Sequence, residues 1–306
     1  MILRIGTRGS KLALVQSEWV KKEVETRHPQ VRVELVKIKT KGDKILDAPL
    51  SKVGGKGLFV KEIEEALLNK DVDLAVHSMK DVPAELQKGL KLSAYPKRED
   101  PRDAFVSGHF SKLEDLPKGA SVGTSSLRRS AQLLHMRPDL HIVPLRGNVD
   151  TRLRKLESGD LHAIVLAAAG LNRLGLSERI TALLPPESVL PAIGQGVLGL
   201  EVREMDQKTQ ELTSFLNDPD TELAARAERA FLKELQGGCQ VPLAGYARLE
   251  EDRLLMDGMV AELDGSVILR QQRSGTKGEP EELGVALARQ LKAAGADRIL
   301  EKIYGR

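Results

Sequence analysis

Cysteine is almost absent from this chain. Cys239 is the only one, so no internal disulfide can form, and a reducing compartment, the cytoplasm, is the expected setting. Aromatic residues make up 3% of the sequence, too few for a base-stacking surface. An excess of either charge is also missing. Lys and Arg total 47 against 44 Asp and Glu, a net charge of +3, without the basic surplus of a nucleic-acid binder. The longest apolar run, Ala163 to Leu171, is far short of the roughly 20 residues that span a bilayer. The N-terminus, MILRIGTRGSKLAL, shows no signal-peptide pattern. The six histidines and single cysteine have no metal-ligand spacing, so no metal is expected. What remains is globular in character: 41% hydrophobic and 30% charged residues over a 306-residue length, which predicts two or three domains.

The first two thirds alternate short strand-like and longer helical patterns. Leu3–Ile5 reads as a strand, and Ser10–Arg27 as a helix with Leu12, Val15, Trp19 and Val20 on one side. Val31–Ile38 alternates as a strand does. Gly57–Asn69 is helical through Phe59, Ile63, Ala66 and Leu67, and Val72–Val76 is again a strand. The rhythm continues at Ser121–Val122, from Gln132 onward, at Ile142–Val143, Thr151–Leu156 and Ala163–Leu166. Such alternation predicts the α/β class, a mostly parallel sheet covered by helices. Breaks are expected at Pro96–Pro101 and at Leu184–Pro191, where prolines cluster. After Asp218-Pro219 a small α+β domain is predicted: a helix over Thr221–Gln236 stopped by Gly237-Gly238, strands at Leu243–Leu249, Leu254–Leu263 and Val267–Arg273, a hairpin turn at Asp264-Gly265, and a helix over Pro280–Ala293.

Ligands of open α/β sheets sit beyond the carboxyl ends of strands, where helix N-termini point N–H groups at them. Those junctions here carry Arg8 and Ser10; Lys80 and Asp81; Thr124, Ser125, Ser126, Arg128 and Arg129; Arg146, Gly147 and Arg152; and then Arg173. Arginine's planar fork suits carboxylate or phosphate. Several arginines at one sheet edge imply a ligand with several anionic groups; taken singly, each is better read as a surface residue or a structural ion pair. Asp81 reads equally as a proton donor to a leaving amine or as part of a solvated turn closed by Val82-Pro83, and local sequence favours the turn. Cys239, between Gly237-Gly238 and Gln240-Val241-Pro242, is either an inert core thiol or a presented nucleophile or attachment point.

Two motifs are declined. Gly194-Gln195-Gly196-Val197-Leu198-Gly199 fits a dinucleotide fingerprint, but it follows no clear strand and leads into the extended Leu200-Glu201-Val202. Lys52-Val53-Gly54-Gly55-Lys56-Gly57 lacks the spacing and hydroxyl of a phosphate loop. The Gly- and Lys-rich stretch 43–56 is a candidate cleft cover.

The stretches GTRGSKLAL, VGGKGLF, DLAVHSMKDVP, REDPRDAF, VGTSSLRR, LRGNVDTRL, AAAGLNRLG, LPAIGQG and LQGGCQVPLAG occur in one order over residues 4 to about 245. Together they resemble the porphobilinogen deaminase (hydroxymethylbilane synthase) family. Val197 and Gln236 depart slightly from its pattern, at positions with no assigned role. The resemblance implies two domains like type II periplasmic binding proteins, 1–96 with 197–216 and 97–196, and a smaller α+β third domain, 217–306. It implies a transferase that joins four porphobilinogen units with loss of ammonia to give hydroxymethylbilane, in haem- and chlorophyll-type tetrapyrrole biosynthesis. A dipyrromethane cofactor would be bound to Cys239 by a thioether. Asp81 would be the catalytic carboxylate, stabilising an azafulvenium-like cation. Lys80, Asp81, Thr124, Ser125, Ser126, Arg128, Arg129, Arg146 and Gly147 would hold the cofactor, and Arg8, Ser10, Arg152 and Arg173 the substrate. The expected partners are porphobilinogen and the growing polypyrrole chain, with no nucleic acid and no membrane, and the expected state is a monomer.

Two other readings compete. A non-catalytic anion receptor on the same scaffold accounts for the arginines but not for the cysteine loop. A nucleotide-dependent enzyme would rest on the glycine motif, whose context is wrong.

Overall fold

The structure is a computed structural model that describes residues 1–44, 57, 60–237 and 241–305. The strand–helix alternation builds two five-stranded sheets of matching design. In the first, β1 (Ile2–Thr7), β2 (Arg32–Lys37), β3 (Leu74–Ser78), β4 (Leu90–Ala94) and β10 (Leu198–Arg203) take the order β2-β1-β3-β10-β4. In the second, β5 (Asp103–Val106), β6 (Ser121–Gly123), β7 (His141–Val143), β8 (Ala163–Ala167) and β9 (Ala182–Leu184) take the order β7-β6-β8-β5-β9. Each sheet has a parallel trio followed by one antiparallel strand. That strand is β10 in the first sheet, paired with β3 and β4, and β5 in the second, paired with β8 and β9. In both cases the reversed strand comes directly after the chain crosses from the other sheet. The polar stretch at Pro96–Pro101 is the outward crossing and residues 185–197 are the return.

Central strands are apolar on both faces, as parallel strands covered by helices must be. Leu3, Ile5, Leu74 and Ala75 are fully buried in the first sheet, and Ala163, Ile164 and Val122 in the second. Helix α1 (Lys11–Arg27) covers the first sheet with Gln16, Ser17, Val20 and Val24. Trp19, expected in that stripe, instead lies 40% exposed. A polar contact ties the helix to the end of β3, where Gln16 Nε2 donates to Ser78 Oγ at 3.1 Å. Helix α2 (Lys61–Leu68) buries Ile63, Glu64 and Leu67; Phe59 and residues 45–56, all but the first two residues of the candidate cleft cover, lie outside the described residues.

The third sheet is an antiparallel meander of β11 (Leu243–Glu250), β12 (Arg253–Ala261) and β13 (Ile268–Thr276). Two helices in the chain, Pro219–Glu234 and Pro280–Leu291, pack with it around Phe231 and Leu287, both fully buried. The glycine stop of the first of these is corrected. Gln236 itself takes the left-handed conformation (φ 51°). Gln236 N donates to Lys233 O, and Gly237 N donates to Leu232 O at 3.0 Å, the double bond of a Schellman turn. A Cβ on Gly237 would meet the side-chain ends of Leu243 and Leu232, which would have to shift.

Candidate active site

The C-terminal ends of the two large sheets face each other. Lys11 at the start of α1 reaches Asp150 at 3.7 Å, at the start of helix Val149–Glu157. Leu12 lies against Gly170 of helix Ala168–Arg173. The base of the cleft is formed by the crossings, which lie side by side. Glu99 N donates to Gly196 O at 3.1 Å, and Arg98 Nε donates to Gln195 O at 2.8 Å. This accounts for the declined glycine motif. Gly194 and Gly196 have φ of 71° and 85°, and a Cβ on either would meet the Met79–Lys80 or Glu99 backbone. The glycines allow two chain segments to touch, and Leu200-Glu201-Val202 is β10, extended as expected.

Lys80 and Asp81 emerge from β3 in a single 3-10 turn, Met79–Asp81, that is anchored by Met79 N donating to Val197 O at 2.9 Å. Strand alternation therefore does not apply to them; successive residues fan out by about a third of a turn. Neither side chain makes a hydrogen bond or ion pair among the described residues. Lys80 is exposed to the cleft, yet crowded by surrounding protein. Burial, with the charges of Arg129 and Arg152, brings its ammonium down to about 8 against the pull of Asp81 and Asp103.

Three helix N-termini point toward this space. Ser10 caps α1 by accepting from Ala13 N at 3.3 Å. Ser126 caps helix Leu127–Met136, and Asn148 caps Val149–Glu157. Each cap leaves other N–H groups of the first turn unpaired. Thr124 Oγ1 accepts from Ser126 N at 3.2 Å, and Ser125 Oγ donates to Leu145 O at 2.9 Å. Gly147, with φ 104°, accepts through its carbonyl from Arg152 Nε at 2.9 Å.

The arginines fall into two groups. Arg128 and Arg129 are 5% and 6% exposed, and both grip Asp103, at 2.7 Å each. They are therefore structural ion-pair members as well as site candidates. Burial alone would push the Asp103 carboxyl up, but the two guanidinium charges hold it far below the usual range. Arg146, Arg152 and Arg173 are half-buried. Arg152 is lowered to about 10 by burial and then by Arg129 and Arg146. Arg173 is lowered to about 10 by burial alone, and its Nη2 donates to Gly196 O at 2.7 Å. Arg8 is half-buried just beyond β1. Asp81, Arg129 and Arg152 thus lie within the field of Lys80, and Arg146 within that of Arg152. Cys239 lies outside the described residues.

Sequence reasoning missed Asp103, Gln195, Arg98 and Glu228, which sit where polar residues look like solvated linkers or helix surface. It also missed a buried acid cluster behind the site. His77 Nε2 lies 2.8 Å from Glu201 Oε2, and burial followed by the charge of Glu201 raises Glu64. No described residues form a metal-binding cluster of His, Cys, Asp and Glu, and no helix among them is long and apolar enough to cross a membrane.

Comparison with known proteins adds the rest. The family model described as "Porphobilinogen deaminase, dipyromethane cofactor binding domain" matches residues 3–211, and "Porphobilinogen deaminase, C-terminal domain" matches 222–293. A porphobilinogen deaminase of Syntrophotalea carbinolica is 60% identical over 97% of this chain and 95% of its own length. One from Geobacter metallireducens is 56% identical over 99% and 95%. Among solved structures, a periplasmic substrate-binding protein of an ABC transporter from Coxiella burnetii aligns with TM-score 0.45 at 17% identity, over 71% of this chain and 92% of its own. A methionine-bound nutrient-binding protein from Burkholderia cenocepacia aligns at 0.43 and 15%, over 69% and 90%. With both parts of the sequence matched by family models and relatives this similar over nearly its whole length, the chain belongs to the porphobilinogen deaminase family.

Proposed function

We propose that the chain is a hydroxymethylbilane synthase that joins porphobilinogen units with loss of ammonia, using a dipyrromethane held on Cys239. The observation that carries this reading is the cationic cleft around one uncommitted acid: the charge of Asp81 acts on both Lys80 and Arg152, and Arg129 and Arg146 are close enough to Arg152 to act on it as well. Each pyrrole of the substrate bears two carboxylates, so a growing chain of them needs such a surface. The fit to dipyrromethane is supported by a buried donor, Arg128 Nε, that has no partner among the described residues, and by the helix N-termini at Ser126 and Asn148. When bound, that group supplies the pyrrole carbon to which new units are joined.

In this reading Lys80, Thr124, Ser125, Ser126, Arg128, Arg129, Arg146 and Gly147 hold the cofactor's carboxylates, and Arg8, Ser10, Arg152 and Arg173 hold those of the incoming substrate. Asp81 passes a proton to the departing amine. As a carboxylate it then stabilises the cation left on the substrate's pyrrole. The low-dielectric walls that shift Lys80 also strengthen that attraction. The strand membership of β10 supports a division into 1–96 with 197–216, 97–196 and 217–306. A lone cysteine supports a reducing, cytoplasmic setting, and the enzyme is proposed to act as a monomer on porphobilinogen and its lengthening chain.

Intact-mass measurement of the purified protein tests the proposal. An adduct of two pyrrole units, absent from Cys239→Ser, is expected, together with turnover of porphobilinogen to an oxidisable bilane. An active protein with an unmodified thiol refutes it.

A further inference from the structure

Asp103 opens β5 and is completely buried. Five donor contacts converge on its carboxylate. Arg128 Nη1 reaches Oδ2 at 2.7 Å and Arg128 Nη2 reaches Oδ1 at 3.3 Å. Arg129 Nε and Nη2 reach Oδ1 at 3.0 and 2.7 Å. Gln195 Nε2 reaches Oδ1 at 2.9 Å. Each guanidinium group is also held by a main-chain carbonyl. Arg128 Nη1 donates to Leu190 O at 2.8 Å, and Arg129 Nη1 donates to Val165 O at 3.0 Å.

The two arginines differ in what they face. Arg129 is the one whose charge reaches Lys80 and Arg152. Its edge nitrogens lie on Asp103, which fixes the plane of the fork, and a fixed fork loses little entropy when it meets a second carboxylate. Arg128 offsets the negative charge of Asp103, so the trio keeps a net positive charge toward the cleft. Asp103 follows the outward crossing directly, and Gln195 belongs to the return crossing. Gln195 Nε2 also donates to Pro101 O at 2.7 Å. Both crossings therefore end on the carboxylate that aims Arg129.

We propose that Asp103 is a positioning residue of the anion site, which orients Arg129 toward the ligand carboxylates, with Gln195 tying that orientation to the chain crossings. The proposal rests on the function given above. In that function Arg129 holds the covalently attached dipyrromethane, so loosening it leaves fewer chains carrying the adduct and the acceptor pyrrole less well placed, which lowers kcat and leaves the KM for porphobilinogen nearly unchanged.

The test uses purified Asp103→Asn and Gln195→Met holoenzymes, assayed with porphobilinogen and weighed intact. In Asp103→Asn the amide turns a donor toward donors. The fraction of chains carrying the two-pyrrole adduct is expected to fall, kcat per loaded chain to fall about tenfold or more, and KM to change far less. Gln195→Met is expected to lower kcat per loaded chain about threefold, and it decides the matter if Asp103→Asn does not fold. Folded variants that melt earlier yet keep wild-type kcat and adduct fraction overturn the proposal and leave Asp103 a purely structural ion-pair member. A wild type that carries no adduct and makes no bilane overturns the function itself.

Discussion

Arg98 and Glu228 meet at 2.6 Å with the glutamate wholly inaccessible, and this contact joins the crossings to the third unit of the fold. The same carboxylate accepts from Gly194 N and, at 2.8 Å, from Ala247 N, while Arg98 lies 4.8 Å over the Tyr246 ring. Removing one partner leaves a buried charge with nothing to answer it. Glu228→Ala is expected to destabilise the protein by about 3–5 kcal/mol, seen as a lower urea midpoint. The double variant Arg98→Met with Glu228→Leu is expected to recover much of that loss. A midpoint unmoved in Glu228→Ala would show that the pair does not hold these segments.

Asp81 makes no hydrogen bond or ion pair among the described residues and is half-buried in a short turn. Asp81→Asn should therefore leave the melting temperature where it is. Turnover should fall by about 10²–10⁴, the usual worth of a positioned acid. Turnover within twofold of wild type would remove Asp81 from its role.

Lys80 gives the site a pH limit on the alkaline side. Its ammonium, brought down to about 8, attracts carboxylates only while protonated. Turnover is thus expected to fall as pH increases through about 8. Lys80→Arg should flatten the profile in that range, since arginine keeps its charge there. Parallel profiles for the two proteins would assign the alkaline limb to another group.

Glu64 is buried with Oε1 unpartnered among the described residues, and burial followed by the charge of Glu201 raises its carboxyl above 4.5. The folded protein then binds more protons here than the unfolded chain, so this group's contribution to stability falls as pH rises through the window above 4.5. Glu64→Gln removes that penalty. Its melting temperature at pH 7 should equal or exceed that of wild type, with a shallower decline as pH rises above 4.5; a clear loss of stability at pH 7 would contradict this.

The local grammar of the sequence was readable. Strand and helix positions at Leu3–Ile5, Val31–Ile38 and Pro280–Ala293 fall within a few residues of those observed. Asp264-Gly265 is the hairpin turn between the last two strands, with Gly265 at φ 73°. What escaped was long-range. β5 and β9 are short and have no periodicity of their own; pairing with β8 makes the first a strand, and pairing with β5 the second. Asp103 reads as one more charge in the polar run Lys97–Asp103, and only the sheet that follows buries it. Gln236 as a helix terminator was missed because glycine is the stronger signal for that conformation. The junction residues were found because strand ends recur in sequence; their assigned roles still rest on the proposal above.

The interleaving of the two sheets also orders how the polypeptide is assembled. β4 pairs only with β10 among the described strands, and β10 is synthesised after every strand of the second sheet. A nascent chain that has emerged to residue 195 can close the later sheet but not the earlier one. β3 and β4 must wait with open edges, the state most exposed to mispairing. The N-terminal portion of this protein is made first and finished after its neighbour.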